Sequence, residues 1–416
     1  MLSESAPPLE HDAGDQSEAR TSSGHSRAIF FLAVASFAAA ATTRVMDSVL
    51  PQIALEFDVS IGSVAFVATA YAFAYGAFQI VFGPLGDRYG KYRVILIACV
   101  GSMLATLACG LASSLTGIAA ARLCSGMVAA AIVPLAIAWV GDVVADNERQ
   151  AVLAKFMSGQ ILGLLAGQIG GGIFGEYFGW RSAFLVIAAI YLAAVAGLLF
   201  VLARDREATA AHIRGNGSIW QTLDVFMRLL TRPVVRFVLF LVTIEAFAMF
   251  GAFTYVGASL NLRYGFDFAT IGLYLATYCI GGLAYVVQSR RLIRIFGPGR
   301  LSFLGTVLVA ITYAAIAFAP SHHVYLAAIP LMGFGFYMLH NTLQTCATQM
   351  APDARGSSVA IFATFYFLSQ AVGVFLAGQV IDGFGFAPVF LTAAVLLLFL
   401  GIVMLTRLPP ELSRRF

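Results

Sequence analysis

Twelve apolar runs, each near the length of a membrane-spanning helix, govern what this chain can fold into. They fall at 28–51, 62–83, 94–112, 117–140, 151–175 and 180–203, then at 234–258, 268–288, 301–319, 323–349, 357–380 and 386–406. About 20 apolar residues cross the hydrocarbon core of a bilayer as a helix. Lipid offers backbone N–H and C=O groups no partners, so a spanning segment is either a helix or part of a closed barrel. A barrel strand alternates apolar and polar residues, and these runs do not. Composition agrees: 60% of residues are hydrophobic and 11% charged, against about 25% charged in soluble domains. The expected fold is an all-α membrane protein with twelve transmembrane helices.

Charge placement sets the remaining boundaries. Residues 1–27 are polar, contain Pro7 and Pro8, and lack the basic start and apolar stretch of a secretory signal. They are expected to be a disordered tail. Six spans occupy 28–203, a polar linker covers 204–233, six more spans occupy 234–407, and 408–416 form a second tail. With the amino terminus inside, nearly all loop Lys and Arg, from Arg88 to Arg355, lie on the inner side, leaving Arg181 and Arg263 outside. By the positive-inside rule both termini are cytoplasmic, in a cell inner (plasma) membrane. Within the linker, Ile219–Leu230 reads as a structured segment with amphipathic character. Cys99, Cys109, Cys124, Cys279 and Cys346 all fall inside apolar runs without CxxC spacing. They read as small core residues rather than disulfide or metal partners.

The two sets of six match each other. One offset aligns Leu55, Phe57, Tyr71, Gly90 and Arg93 with Leu262, Tyr264, Tyr278, Gly297 and Arg300. One residue less aligns Arg149, Gly167, Gly172, Glu176 and Gly179 with Arg355, Gly373, Gly378, Asp382 and Gly385. A duplicated six-helix unit explains both, giving two pseudo-symmetric bundles with the working cavity at their seam.

Between spans 2 and 3 the chain reads Gly83-Pro84-Leu85-Gly86-Asp87-Arg88-Tyr89-Gly90-Lys91-Tyr92-Arg93. Gly83 permits close helix approach and Gly90 a tight turn. Asp87 suits the positive amino end of another helix. Arg88, Lys91 and Arg93 can pair with Asp142 at the inner end of span 4. This stretch resembles the loop signature of the major facilitator superfamily, G-x-L-x-D-R-x-G-[RK]-[RK]. The resemblance implies a conformational latch, with Asp87 on the start of the eleventh helix near Gly356. In the second half Arg294 stands where Asp87 would be, so a second latch is expected to be weaker or absent.

Arg122-Leu123-Cys124-Ser125-Gly126 resembles the same family's R-x-x-x-G element, whose arginine is associated with proton coupling. An arginine inside a span needs a partner, unless it snorkels to the interface. Arg44 and Asp47 share a face of span 1. Asp47-Ser48-Val49-Leu50-Pro51 resembles a pattern of proton-driven exporters. Asp47 and Arg122 lie at similar depth, so they can meet; the alternative is a local Arg44–Asp47 pair. Glu245, near the middle of span 7, is a further candidate proton carrier, because a bare carboxylate there costs several kcal/mol. Span 5 carries glycines from Gly159 to Gly175. Its Gly163–Gly172 stretch resembles an antiporter signature, but with Gln168 in place of proline. That departure favours uptake over export.

Gln168, Tyr255, Tyr337, His340, Asn341 and Gln344 are the candidate substrate-cavity residues. His340 and Gln344 share a helix face. No G-x-x-x-x-G-K-[ST] loop is present, nor a metal cluster or nucleophile–base arrangement. No enzymatic activity, metal, cofactor or nucleic-acid partner is therefore expected. The expected partners are a small-molecule substrate, protons and membrane lipid, and the expected state is a monomer. The family branch most resembled is the twelve-span drug:proton antiporters, which implies proton-gradient-driven export of a small, partly hydrophobic compound by alternating access. Uptake of a sugar or organic acid, by symport or facilitated diffusion, is the alternative, and a non-transporting membrane receptor a third.

Overall fold

The computed structural model describes residues 11–205 and 219–413. The first half comprises α1 (His11–Glu56), α2 (Ile61–Tyr89), α3 (Lys91–Leu111), α4 (Leu115–Ala129), α5 (Ile132–Val143), α6 (Asp146–Phe178) and α7 (Trp180–Arg204). The linker contributes α8 (Ile219–Thr231). The second half comprises α9 (Pro233–Phe253), α10 (Val256–Tyr264), α11 (Phe268–Ala317), α12 (His322–Gln349), α13 (Arg355–Phe384) and α14 (Phe386–Arg407), with α15 (Pro410–Ser413) at the end. No strand occurs among the described residues.

These helices make twelve crossings. At 1.5 Å per residue, the 50 residues of α11 reach about 75 Å, more than twice the hydrocarbon core. Gly297, at φ 69°, breaks α11 ahead of Pro298, so it crosses twice. The expected fourth span is divided into α4 and α5. Pro134 supplies the reason: its ring clashes with the carbonyl four residues back, at Ala130, and it has no N–H to donate. The seventh span is likewise divided, into α9 and α10. Large apolar side chains such as Ile97, Val287 and Val395, between 64% and 86% exposed, cover the outer surface, as lipid requires.

One expectation about the ends needs correction. Helix α1 begins at His11, so residues 11–27 are helical rather than disordered; no proline interrupts the chain between Pro8 and Pro51. In the second tail, α15 buries Leu412. Residues 1–10, 206–218 and 414–416, parts of the expected tails and linker, lie outside the described residues. Helix α8 is amphipathic as read: Phe226 and Leu229 are buried while Trp220 and Met227 are exposed. It touches both α2 and α13. Four cysteines are buried, but Cys124 is exposed, because α4 turns it away from the core.

The repeat is visible in the turns. Gly90 and Gly297 sit at φ 88° and 69°, and Gly179 and Gly385 at φ 81° and 78°. Both are pairs that the sequence aligns. Positive φ strains any residue with a Cβ, so each half fixes its tight turns with glycine at the same places.

Close packing of α1 on α6 uses the expected glycines. Every fourth residue of α6, from Gly159 through Gly163 and Gly167 to Gly171, rests on the α1 backbone at Ala33, Phe37, Ala41 and Val45. Small residues at such spacing let helix axes approach. A Cβ at Gly163 would overlap the backbone of Phe37, whereas one at Gly141 would meet nothing within 4 Å. Gly163→Ala should therefore lose about 1–3 kcal/mol to overpacking, less up to ~1 kcal/mol regained in helix propensity. Gly141→Ala should be neutral or slightly stabilising. Thermal unfolding in detergent checks this; equal melting temperatures for the two variants would refute the contact.

Candidate functional site

The halves meet along two seams, α2 on α13 and α6 on α11, and the buried charges gather between them. Arg44 comes from α1, yet its guanidinium lies 4.1 Å from the centre of the Phe250 ring on α9. Tyr278 and Tyr366 lie in the same neighbourhood. The first half thus places a cation among aromatic rings of the second, where a ring face attracts it. These rings touch one another: Phe250 meets Phe336 at 5.4 Å and Tyr366 at 5.9 Å, and Tyr278 meets Phe336 at 5.9 Å and Tyr337 at 6.3 Å.

Asp47 pairs locally with Arg44 at 3.5 Å. On its other side it faces Thr254, at the break between α9 and α10. The contact of Asp47 with Arg122 is not made. Arg122 instead donates to the Thr42 carbonyl at 2.8 Å and lies 4.3 Å from the Tyr71 ring centre. It is 1% exposed, so it does not snorkel. A backbone carbonyl and a ring face substitute for the carboxylate that sequence spacing offered.

On the second half, Glu245 is 0% exposed and lies 3.1 Å from His340 Nδ1. The His340 ring stacks on Phe336 at 4.9 Å and approaches Tyr366 at 5.1 Å. Its side chain keeps 12% exposure against none for Glu245. The imidazole is therefore the more accessible member of the pair. Two residues read separately, one for protons and one for substrate, form a single acid–base pair.

The other cavity candidates divide. Tyr337 and His340 border the aromatic cluster, and Gln344 is exposed one turn beyond. Asn341 is half-buried on a different face from His340, because adjacent helix positions face different neighbours. Tyr255 is completely buried, donating its hydroxyl to the Val374 carbonyl at 2.6 Å; it binds α9–α10 to α13 and lines no open space. Gln168 is 1% exposed in the α6–α11 seam. Its backbone carbonyl accepts from Ser48 Oγ at 2.7 Å, and its side-chain oxygen accepts from the Cys279 thiol at 3.9 Å. Phe250, Phe336 and Thr254 are additions of the structure; no spacing marks those two among 35 phenylalanines, or the threonine.

In the 83–93 loop, Lys91 bridges Asp142 and Asp87, the latter at 3.8 Å. Arg88 lies on the Tyr89 ring at 5.2 Å and Arg93 is exposed. Among the described residues, none of Asp87, Arg88, Lys91 and Arg93 makes an ion pair or hydrogen bond with the second half. A Cβ at Gly83, or at Gly356 near the start of α13, would meet nothing within 4 Å. The close approach expected at Gly83 is thus not made. Nearby, Arg232 grips Asp353 through both oxygens, at 2.6 and 2.7 Å, and the guanidinium holds that carboxyl at about 2.

Comparison with known proteins agrees with this architecture. The chain is 25% identical over 341 residues to the "Uncharacterized MFS-type transporter YceJ" of Bacillus subtilis, covering 81% of this chain and 84% of that protein. It is 25% identical over 264 residues to the "Efflux pump radE" of Floropilus chiversii, covering 57% of this chain and 49% of that protein. The solved structure of the nucleoside transporter NupG shares the fold with a TM-score of 0.76 at 12% identity, covering 92% of this chain and all of that one. With the family profile matching residues 32–374, over a twice-repeated six-helix bundle, the chain belongs to the Major Facilitator Superfamily.

Proposed function

We propose that this transporter exports a small, partly hydrophobic compound in exchange for protons. One observation carries the reading: two carboxylates are buried at the seam, one in each half, and each is held by a basic side chain. Asp47 lies on Arg44 and Glu245 on His340. A buried acid within a membrane is expensive unless it is paired or protonated, and histidine exchanges protons near neutral pH. A proton arriving at His340 passes to Glu245 and frees the imidazole. A proton on Asp47 releases Arg44, whose guanidinium, already against the Phe250 ring, is then available to a bound solute. The aromatic rings suit a partly hydrophobic cargo. Similarity to an efflux pump supports export, with the chain monomeric in the inner membrane and both termini cytoplasmic. The driving force is the proton gradient, with no cofactor.

Uptake of a sugar or organic acid is the second reading, favoured by Gln168 at the proline position. Proteoliposomes with an internal pH dye separate the two. Antiport moves protons against an added substrate; symport moves them with it. Glu245→Gln and His340→Asn should each slow coupled transport by roughly 10²-fold or more. The double variant should be no worse than the poorer single one, since the pair acts as a unit. Full activity in both single variants would refute the coupling role.

In the same reading the 83–93 loop is a latch, with Asp87 reaching the start of α13 when the halves close at that end. Asp87→Asn should then lower turnover several-fold with substrate affinity little changed. Parallel measurements of binding and transport test this, and unchanged turnover would refute it.

A further inference from the structure

At the end of the molecule opposite the 83–93 loop, the halves are joined by one arrangement that occurs twice. Glu176, in the last turn of α6, accepts the Phe268 N–H at 2.8 Å. Phe268 is the first residue of α11, so a carboxylate of the first half sits on a helix start of the second. Asp382, in the last turn of α13, accepts the Gly62 N–H at 2.9 Å and the Ser60 hydroxyl at 2.6 Å. Here a carboxylate of the second half sits on the start of α2. Glu176 and Asp382 are partners in the sequence repeat, and the two helix starts are repeat-related as well.

Each helix also has a cap from its own chain. Ser60 accepts from the Ser63 N–H, and Asp267 from the Thr270 N–H. A helix start leaves four N–H groups without intrahelical partners. The local cap satisfies one, and the carboxylate from across the seam satisfies another while meeting the positive end of the helix. Glycine brings the helices near enough for this. Gly172 lies on the backbone of Phe268 and Gly272, and Gly378 lies on the Gly62 backbone, beside Ala65 and the Tyr255 hydroxyl, so the helices approach closely beside either carboxylate.

We propose that Glu176 and Asp382 are a matched pair of locks, each capping from one half a helix of the other, and that together they set how readily this end of the transporter opens. Opening the end breaks both cross-seam caps and hands the released N–H groups to water. The local caps at Ser60 and Asp267 stay in place, so α2 and α11 keep their helical starts in both states. The locks are positioning residues: they touch no substrate, and their action does not depend on the direction of transport or on proton coupling.

The test uses the full chain in lipid, with the five native cysteines replaced and spin labels on cysteines at Tyr177 and Leu262. These residues are exposed at this end, one in each half. Double electron–electron resonance reads the distance between them. Glu176→Gln and Asp382→Asn should each enlarge the long-distance population several-fold, and the double variant should enlarge it further. Asp382→Glu, which keeps the charge, should restore the short distance. Phe268→Pro removes the donor from the other side, because proline is tolerated at the first helical position and lacks the N–H. Relative to Phe268→Ala it should also favour the open distance. Thermal unfolding identifies any variant that merely fails to fold, and the proline variant then decides for Glu176. A double variant that folds and keeps the parental distance distribution would overturn the proposal.

Discussion

Inside a bilayer a polar group has only the protein to answer it, and most of this molecule follows from that constraint. The backbone satisfies itself by forming helices. Hydroxyls turn back onto their own helix, as Thr42 does on the Ala38 carbonyl at 2.8 Å and Thr342 on the Met338 carbonyl at 3.1 Å. The few charges have no such local option. Arg122 takes a carbonyl of another helix, Arg44 a carboxylate and a ring, and Glu245 an imidazole. Each answer crosses from one helix to another or ties one turn to the next, so the charges also fix how helices face.

Glycine makes those crossings short. Because α6 presents bare backbone to α1 at every fourth residue, α1 has one face committed to its neighbour. Arg44 and Asp47 project elsewhere, toward the second half. The same device on the α2–α13 and α6–α11 seams brings backbones into contact between the halves. Packing within a half and packing between halves therefore use the same residue type. The difference is that, in the proposed cycle, contacts between halves are broken and remade, whereas those within a half persist.

The spans, the duplication and the tight turns could be read from the sequence, because each depends on residues close together in the chain or on exact recurrence. Gly90 was expected to make a tight turn and does so. The site was legible only in part. Glu245 and His340 were both recognised as unusual, but 95 positions separate them and no periodicity relates a face of α9 to a face of α12. Arg122 had a plausible acidic partner in Asp47; its real acceptor is a backbone carbonyl, which every residue carries and which has no signature. Tyr255 has the sequence signature of any aromatic near a cavity, and only the fold shows its hydroxyl donating to the Val374 carbonyl. Glu176 and Asp382 were matched as repeats of each other, yet only the fold shows that each meets the other's half.

The position of Arg44 bears on mechanics as well as chemistry. When two rigid bodies rock against each other, a point is displaced in proportion to its distance from the axis. Arg44 rests on Phe250 between the halves, while Glu176, Asp382 and residues 83–93 lie toward the ends of their helices. The central contact can therefore slide without separating while the outer ones part completely. In the proposed cycle Arg44 on its ring would act as a fulcrum, where a small local shift becomes the largest movement at the two ends.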